Sequence, residues 1–388
     1  MRVPRLGKSA LVVVLMVTVM VVVVCGCRPF RPLRASREPV PEPAPIPASP
    51  ARSSYVKPEV ALVEVASSDR LWTGVAVSKD GRIFVNYPRW SDDVTFSVGE
   101  IRASGKVVPF PDEDWNAWDG SQEPGDHFVC VQSVYVDDKD FLWILDPASP
   151  MLGAVVPGGP KLLKVDLGKN KVVQEIGFDE TVAPAASYLN DVRVDTGKNV
   201  AYITDSGLGA LVIVDLKTAK ARRLLGDHPS TKAEAVVLTI GGKEWRMGGN
   251  APEVHSDGLA LSNDGTYLYY QALTARTLYR VETRWLLDPS LSGVQLGAKV
   301  ESMGQTGAAD GIEFGPDHYL YLTAIEDNAI KTFAALDRAE TVVRDPRLLW
   351  PDSFARGGDG YMYVTTSHIH LGADVSEPYR IFKFKPAR

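Results

Sequence analysis

Six polar residues recur at one place in a repeated phrase: Thr73, Gln132, Asn190, Asp257, Asp310 and Asp352 each stand immediately before or at the start of a short alternating apolar run. Three carboxylates, two amides and a hydroxyl brought to one ring would make an oxygen-rich cluster, which suits a hard cation such as Ca²⁺ or another divalent metal. Asn190, Asp257 and Asp310 are then the expected metal ligands. A metal held there could activate a water or polarise an ester carbonyl, with Asp257 or Asp310 as the catalytic general base. The competing reading is that each carboxylate caps its own turn or accepts backbone N–H groups from the neighbouring repeat. His255 lies two residues before Asp257, where it could serve as base, ligand or hydrogen-bonding wall. His368 and His370 alternate onto one strand face, a spacing compatible with Zn²⁺ or Cu²⁺, but no third ligand stands near them in sequence.

The elements that must position these residues are hairpins. Ser256 to Tyr270 (SDGLALSNDGTYLYY) is the clearest, a strand, a turn rich in Gly, Asp and Asn, and a second strand. Degraded copies run from Thr73 to Val85, Gln132 to Ile144, Asn190 to Ile203, Asp310 to Leu322 and Asp352 to Val364. Six copies at a spacing of roughly 40 to 70 residues predict an all-β, six-bladed β-propeller with four strands per blade. Outer strands are expected within Pro160 to Phe178, Ala210 to Leu225, Thr277 to Leu286 and Ala329 to Leu336. The last copy ends in Tyr379 to Lys385, so its outermost strand is expected from Val60 to Ala66, which would close the ring and leave no unpaired edge.

Two long inserts, Pro88 to Val129 and Gly226 to Glu253, interrupt the pattern and carry Trp90, Trp115, Trp118 and Trp245. Long loops on a rigid scaffold often wall a site. Tyr87 and Trp90, with Thr73, Gln132 and Asp352, are therefore the expected ligand-binding residues.

The first residues read differently. Arg2, Arg5 and Lys8 precede an apolar run from Leu11 to Val24, the pattern of a secretory signal. Val24-Cys25-Gly26-Cys27 resembles a bacterial lipobox, so residues 1–26 are expected to be a lipoprotein signal peptide and Cys27 the lipidation site. An uncleaved signal anchor is the alternative. Arg28 resembles the outer-membrane sorting pattern, which places the expected location in the cell envelope, exported and lipid-anchored. Residues 27–58, with PVPEPAPIPASP at their heart, read as a Pro-rich disordered linker, and 59–388 as the propeller domain. After processing Cys130 would be the lone cysteine, buried on a strand, and no intramolecular disulfide could form.

A net charge of −6, from 42 basic and 48 acidic side chains, brings no basic block to the folded part, so no nucleic acid is expected as a partner. The hydrophobic fraction of 45% is enough for a full core, and a monomer is expected. No GxSxG, phosphate-binding glycine loop, HExxH or CxxC occurs, which argues against a serine hydrolase or a nucleotide enzyme.

Several phrases together resemble the major royal jelly protein and yellow family in a bacterial version: GRIFVNYPRW (Gly81 to Trp90), PFPDEDW (Pro109 to Trp115), QSVYVDDKDFLWILDPA (Gln132 to Ala148), AYITDSGLGALVIVDL (Ala201 to Leu216) and LLWPDSFARGGDGYMYVTTSHI (Leu348 to Ile369). The resemblance implies a six-bladed propeller that binds small molecules, aromatic amines among them, and for some relatives dopachrome conversion. The family's disulfide cysteines are absent here. A more distant similarity is to gluconolactonase and regucalcin propellers, which implies a divalent metal held by a Glu, an Asn and an Asp. Asn190 and Asp310 fall at equivalent places, Asp257 replaces an Asn, and Thr73 stands where the Glu is expected.

The reading that follows is a lipid-anchored propeller binding a small molecule (aromatic amine, catechol or sugar lactone) at the channel mouth. A metal-dependent lactonase or a dopachrome-tautomerase-like enzyme is one alternative, a protein-interaction scaffold another.

Overall fold

The computed structural model describes residues 60–372 and 374–386. The expected signal peptide, Cys27 and the Pro-rich linker lie outside the described residues. The compact unit spans Lys57–Arg388 and is a ring of six four-stranded antiparallel sheets.

Blade 1 runs Val75–Val77, Ile83–Asn86, Val98–Ile101 and Val107–Pro109; blade 2 runs Ser133–Val136, Phe141–Asp146, Lys161–Asp166 and Lys171–Gly177. Blade 3 is Leu189–Asp195, Val200–Asp205, Ala210–Asp215 and Lys220–Leu224, and blade 4 is Ser256–Leu261, Tyr267–Ala272, Thr277–Glu282 and Glu301–Gln305. Blade 5 comprises Ile312–Phe314, Leu320–Ala324, Ala329–Ala335 and Arg338–Arg344. Blade 6 takes Pro351–Arg356, Met362–Thr366 and Tyr379–Phe384 from the end of the chain and Val63–Ser68 from its beginning. That last strand pairs from Val63 with Lys383 to Ser68 with Tyr379, so the ring closes as the alternating runs required.

The hydrophobic core lies in wedges between blades. Strand alternation buries one apolar row on each face, so Trp143, Leu145 and Ile176 of blade 2 meet Val192, Val194, Ile203 and Val212 of blade 3. The other interfaces repeat the arrangement.

Three expectations need correction. The stretch from Pro88 to Val129 is not all insert, because it contains the two outer strands of blade 1; these are only four and three residues long and the last ends in proline, too little alternation to register. The run from Thr277 to Leu286 turns helical at Thr283–Leu287, and the outer strand of blade 4 follows a second short helix, Gly293–Gly297, whose Ser292 and Gln295 form a capping box. Cys130 is buried but sits in the bend before Ser133–Val136 rather than on a strand.

Candidate functional site

The inner strands carry the ring residues to one mouth of the channel through a shared local irregularity. Pairing with the second strand slips between Leu189 and Val192, between Ser256 and Leu259, and between Pro351 and Phe354. Such bulges leave backbone groups without ladder partners and re-aim side chains. In blades 3 and 6 a threonine on the second strand takes up the slack, and a third threonine serves the entry of blade 5 in the same way. Thr204 Oγ1 accepts from the Asp191 N–H (3.1 Å), Thr323 Oγ1 from the Asp310 and Gly311 N–H groups (3.0 Å each), and Thr365 Oγ1 from the Ser353 N–H (3.0 Å). Two of these hydroxyls reach onward, Thr204 donating to the Asp257 carbonyl and Thr365 to the Thr73 carbonyl. In blade 1 an amide does the work, with Asn86 Oδ1 accepting from the Gly74 N–H (3.0 Å) and Nδ2 donating to the Gln132 carbonyl (2.9 Å). Blade 3 is thus latched to blade 4, blade 6 to blade 1 and blade 1 to blade 2 at the ring, while Thr323 ties the entry of blade 5 to its own second strand.

Gly258 and Gly311 bring the carboxylates together. A Cβ at either would lie 2.1 Å from the carbonyl oxygen of Asp310 or Asp352 in the following blade, so only glycine permits this approach. Asp257, Asp310 and Asp352 are consequently buried side by side.

A hydrogen-bonded chain then crosses the mouth from one indole to another. Trp90 Nε1–H donates to Tyr188 Oη (2.8 Å), which donates to Gln132 Oε1 (2.9 Å). Gln132 Nε2 donates to Asn190 Oδ1 (3.3 Å), and Asn190 Nδ2 to Asp257 Oδ2 (2.8 Å) and Ser206 Oγ (3.0 Å). Asp257 and Asp310 share a hydrogen bond, and Asp310 Oδ2 accepts from Trp350 Nε1–H (2.6 Å). Asp352 accepts from the Ser353 hydroxyl (2.9 Å). The three carboxylates accept mainly from side chains rather than capping turns.

Above this floor is a cavity of about 680 Å³. Trp90, Tyr188, Trp245 and Tyr379 wall it with rings, Leu71, Met247, Leu273 and Ile369 add apolar surface, and Gln132, Asn190, Asp257, Asp310 and Asp352 form its polar end. Farther in, Arg193 and Glu313 pair at 2.8 Å across the channel, with the guanidinium 5.3 Å over the Tyr135 ring, so charge and side-chain bulk fill the space beyond Asp191.

Burial governs the electrostatics. Asp310 is pushed up to about 7 by desolvation, against the opposing pull of the Trp350 hydrogen bond. Asp257 and Asp352 are raised well above the carboxylate range by burial and then by Asp310. Acidic groups this close cannot all ionise, so the cluster retains protons near neutrality. Burial likewise pushes the Cys130 thiol up to about 12, which leaves it no thiolate character.

Not every sequence-predicted residue reaches the cavity. Thr73 is buried beside it, with its hydroxyl donating to the Gln132 carbonyl and accepting from Asn86. Tyr87 lies in the wedge between blades 1 and 6 against Trp72 and Phe96, and burial raises it to about 12. His255 is half-buried outside the lining, its Nδ1 accepting from the Ala233 N–H (3.0 Å), and desolvation lowers its pKa. His370 stacks on Trp350 (5.8 Å between centroids, 11° between planes), whereas His368 is fully buried against Tyr379.

Sequence reasoning missed Trp350, Tyr188 and the latch residues. Asn86, Thr323 and Thr365 each stand thirteen residues after their ring residue and Thr204 fourteen, a regularity present in the sequence once the hairpins are aligned.

Ca²⁺ asks for six to eight converging oxygens. Here Asn190 turns its Nδ2, not its Oδ1, toward Asp257, and Trp350 occupies Asp310 Oδ2. Among the described residues no group of three His, Cys, Asp or Glu side chains is arranged to hold a metal ion. The donor set as it stands fits protons better than a divalent cation.

Comparison with known proteins decides the family. The profile of the major royal jelly protein family matches residues 129–376. The chain belongs to this family. It is 27% identical over 185 residues to major royal jelly protein 6 of Apis mellifera, covering 45% of this chain and 39% of that one. It is 22% identical over 188 residues to dopaminechrome tautomerase of Drosophila melanogaster, covering 44% of this chain and 40% of that one. The chain thus spans less than half the length of these curated relatives. Among solved structures it resembles regucalcin, a calcium-binding protein from Agrobacterium tumefaciens, with a TM-score of 0.52 at 14% identity over 84% of this chain and 95% of that one. That likeness is one of fold.

Proposed function

We propose that this royal jelly-family propeller binds a small aromatic molecule at the channel mouth, from the aromatic amine or catechol class. The observation that carries the reading is the pairing of an aromatic-walled cavity of about 680 Å³ with a buried polar end of carboxylates and amides. Ring walls reward flat apolar ligands through burial and edge or face contacts, while a few placed polar groups fix orientation. A sugar lactone, with little apolar surface, suits these walls less well. Calorimetric titration of the purified protein with aromatic amines, catechols and sugar lactones tests the proposal. Saturable binding by the first two classes, weakened by Trp90→Ala or Trp245→Ala, is expected; no binding from any class would overturn it.

A second reading draws on Asp257 and Asp310, which share a hydrogen bond and are both raised above the carboxylate range by burial. A carboxyl pair of this kind can take a proton from one position of a bound ligand and return it at another, the balance a tautomerase needs. The similarity to dopaminechrome tautomerase favours it over lactone hydrolysis. Under this reading turnover survives a chelator and is lost in Asp257→Asn. A metal-dependent lactonase would behave oppositely toward the chelator, and elemental analysis of the purified protein would find about one divalent ion per chain.

The protein is further proposed to work as a monomer held in the cell envelope by lipid on Cys27, after removal of residues 1–26 and with 27–58 as a spacer. The basic leader, the apolar run and the cysteine support this. Labelling with a fatty acid that disappears in Cys27→Ser is the expected outcome.

A further inference from the structure

One wall of the cavity belongs to no blade. Residues 236–254 leave the propeller between blades 3 and 4 as an arm with a two-stranded ribbon, Thr239–Ile240 against Lys243–Glu244, and a second small turn closed by Met247 and Asn250 (2.9 and 3.1 Å). Its base is fastened: Glu234 accepts from the Arg276 and Thr277 N–H groups (2.9 and 3.2 Å), and the Val254 N–H donates to Thr274 Oγ1 (2.8 Å). Beyond the base, one hydrogen bond joins the arm to another part of the described residues, from the Thr239 N–H to Glu326 (2.9 Å).

Residues 241–244 and 246–250 are exposed, and the two tips carry glycine pairs in left-handed backbone (Gly241 and Gly242, Gly248 and Gly249) with open space around each. A segment with so few fastenings and so much solvated backbone has the attributes of a low-stability unit that opens on its own. What holds it down is apolar. Leu238, Ile240 and Trp245 are its buried side chains, and Trp245 stands edge-on to Trp350 (4.8 Å, 75°). Trp350 lies parallel to His370 and donates its indole N–H to Asp310. The arm's latch is therefore mounted on a residue bonded to the acidic floor, while Trp245, Met247 and Val254 face the cavity.

We propose that residues 238–250 form a lid over the channel mouth, latched closed by Trp245 on Trp350 and coupled through the Trp350 N–H to Asp310. The lid's purpose rests on the binding reading above, but its motion does not. Opening separates Trp245 from Trp350 and widens the mouth, and any group that competes for Asp310 loosens the latch from within.

Amide hydrogen exchange on the ligand-free protein tests the motion. The Trp245 and Met247 amides, each bonded within the arm, should exchange faster than the Leu268 amide of the second strand of blade 4, and at rates independent of global unfolding. Trp245→Ala should speed the arm amides by on the order of tenfold or more and leave Leu268 unchanged, Trp245→Phe should restore most of the protection, and Asp310→Asn, which does not touch the arm, should also speed them. Arm amides that exchange only with global unfolding, or that ignore both Trp245→Ala and Asp310→Asn, would overturn the proposal. The neutral fluorescent probe N-phenyl-1-naphthylamine tests the gate: its binding rate should level off with concentration in the native protein and stay linear in Trp245→Ala, whereas a linear rate in both overturns gating. If the probe binds neither form, the exchange rates alone judge the lid, and the failure falls on the binding reading.

Discussion

Asp310 couples the chemistry of the site to the stability of the fold. Its pKa in the folded chain, about 7, lies above the unfolded value of about 4. Between those values the native state keeps a proton that the unfolded chain has lost, so this group's contribution is full below about pH 4 and disappears as pH rises through 7. Asp257 and Asp352 are displaced in the same direction by the same burial. The protein should therefore be more stable to urea at pH 5 than at pH 8, by roughly 1–3 kcal/mol, and Asp310→Asn should narrow the difference. Equal midpoints at the two pH values in the native protein would show that the cluster does not hold its protons. Lys161 makes the opposite point about buried charge. It is 1% exposed, with its ammonium on Asp146 (3.3 Å) and on the carbonyls of Pro124 (2.8 Å) and Gly159 (2.9 Å). Asp146 in turn accepts from the Val129, Cys130 and Ala148 N–H groups, holding the loop beneath Trp90. Lys161→Ala strands a buried carboxylate and should cost about 3–5 kcal/mol, read from denaturant midpoints. Nothing in PKLLKVDL distinguishes this lysine from the half-buried one three residues later, whose ammonium lies over the Phe141 ring; the difference lies in what packs over it, which the local pattern does not contain.

At the level of elements, the inner hairpins were legible because their information is local. Turn residues such as Asn263, Asp264 and Gly265 and the alternation on either side fix strand, turn and strand without help from the rest of the chain. The outer strands of blade 1 and the helical detour in blade 4 were not, since their positions depend on the neighbours they pair with. The latches are a third case: Thr204 and Thr365 look like ordinary strand threonines until the bulges opposite them are seen. Two substitutions measure what holds the ring, one within a blade and one between blades. Thr323→Val removes the acceptor of two buried N–H groups while keeping the shape, and should destabilise by about 1–3 kcal/mol. Gly311→Ala drives a methyl to 2.1 Å from the Asp352 carbonyl, and the blades must part to admit it. The cost should be at least comparable, about 1–3 kcal/mol or more, with loss of ligand binding because the same movement separates Asp310 from Asp352. A folded Gly311→Ala protein of native stability would mean that blades 5 and 6 are not in close contact at the ring.

For the whole molecule, the ring poses a problem that each blade alone does not: a propeller is stable only if its first and last sheets are joined. The joint is the pairing of Val63–Ser68 with Tyr379–Phe384, reinforced at one end by Val60 and Leu62 packing beside Phe384 and Met362 and at the other by Arg380 on Glu64 (3.3 Å). The strand also leads through Asp69, Arg70 and Leu71 into the cavity lining, so closure and site are built by consecutive residues. Without Val63–Ser68 the Tyr379–Phe384 strand, whose Tyr379, Ile381, Phe382 and Phe384 are buried, becomes an uncovered edge, the kind that pairs with other chains. Two truncations separate the contributions. A chain beginning at residue 57 retains every strand of the ring and should stay monomeric by light scattering, with unfolding as cooperative as that of the full chain. A chain beginning at residue 69 lacks only the closing strand and the residues before it, and should aggregate or unfold with a midpoint lowered by several degrees, on the order of 5 °C or more. If the shorter chain proved as stable and as monomeric as the longer one, the wedge cores alone would suffice to hold six blades in a ring.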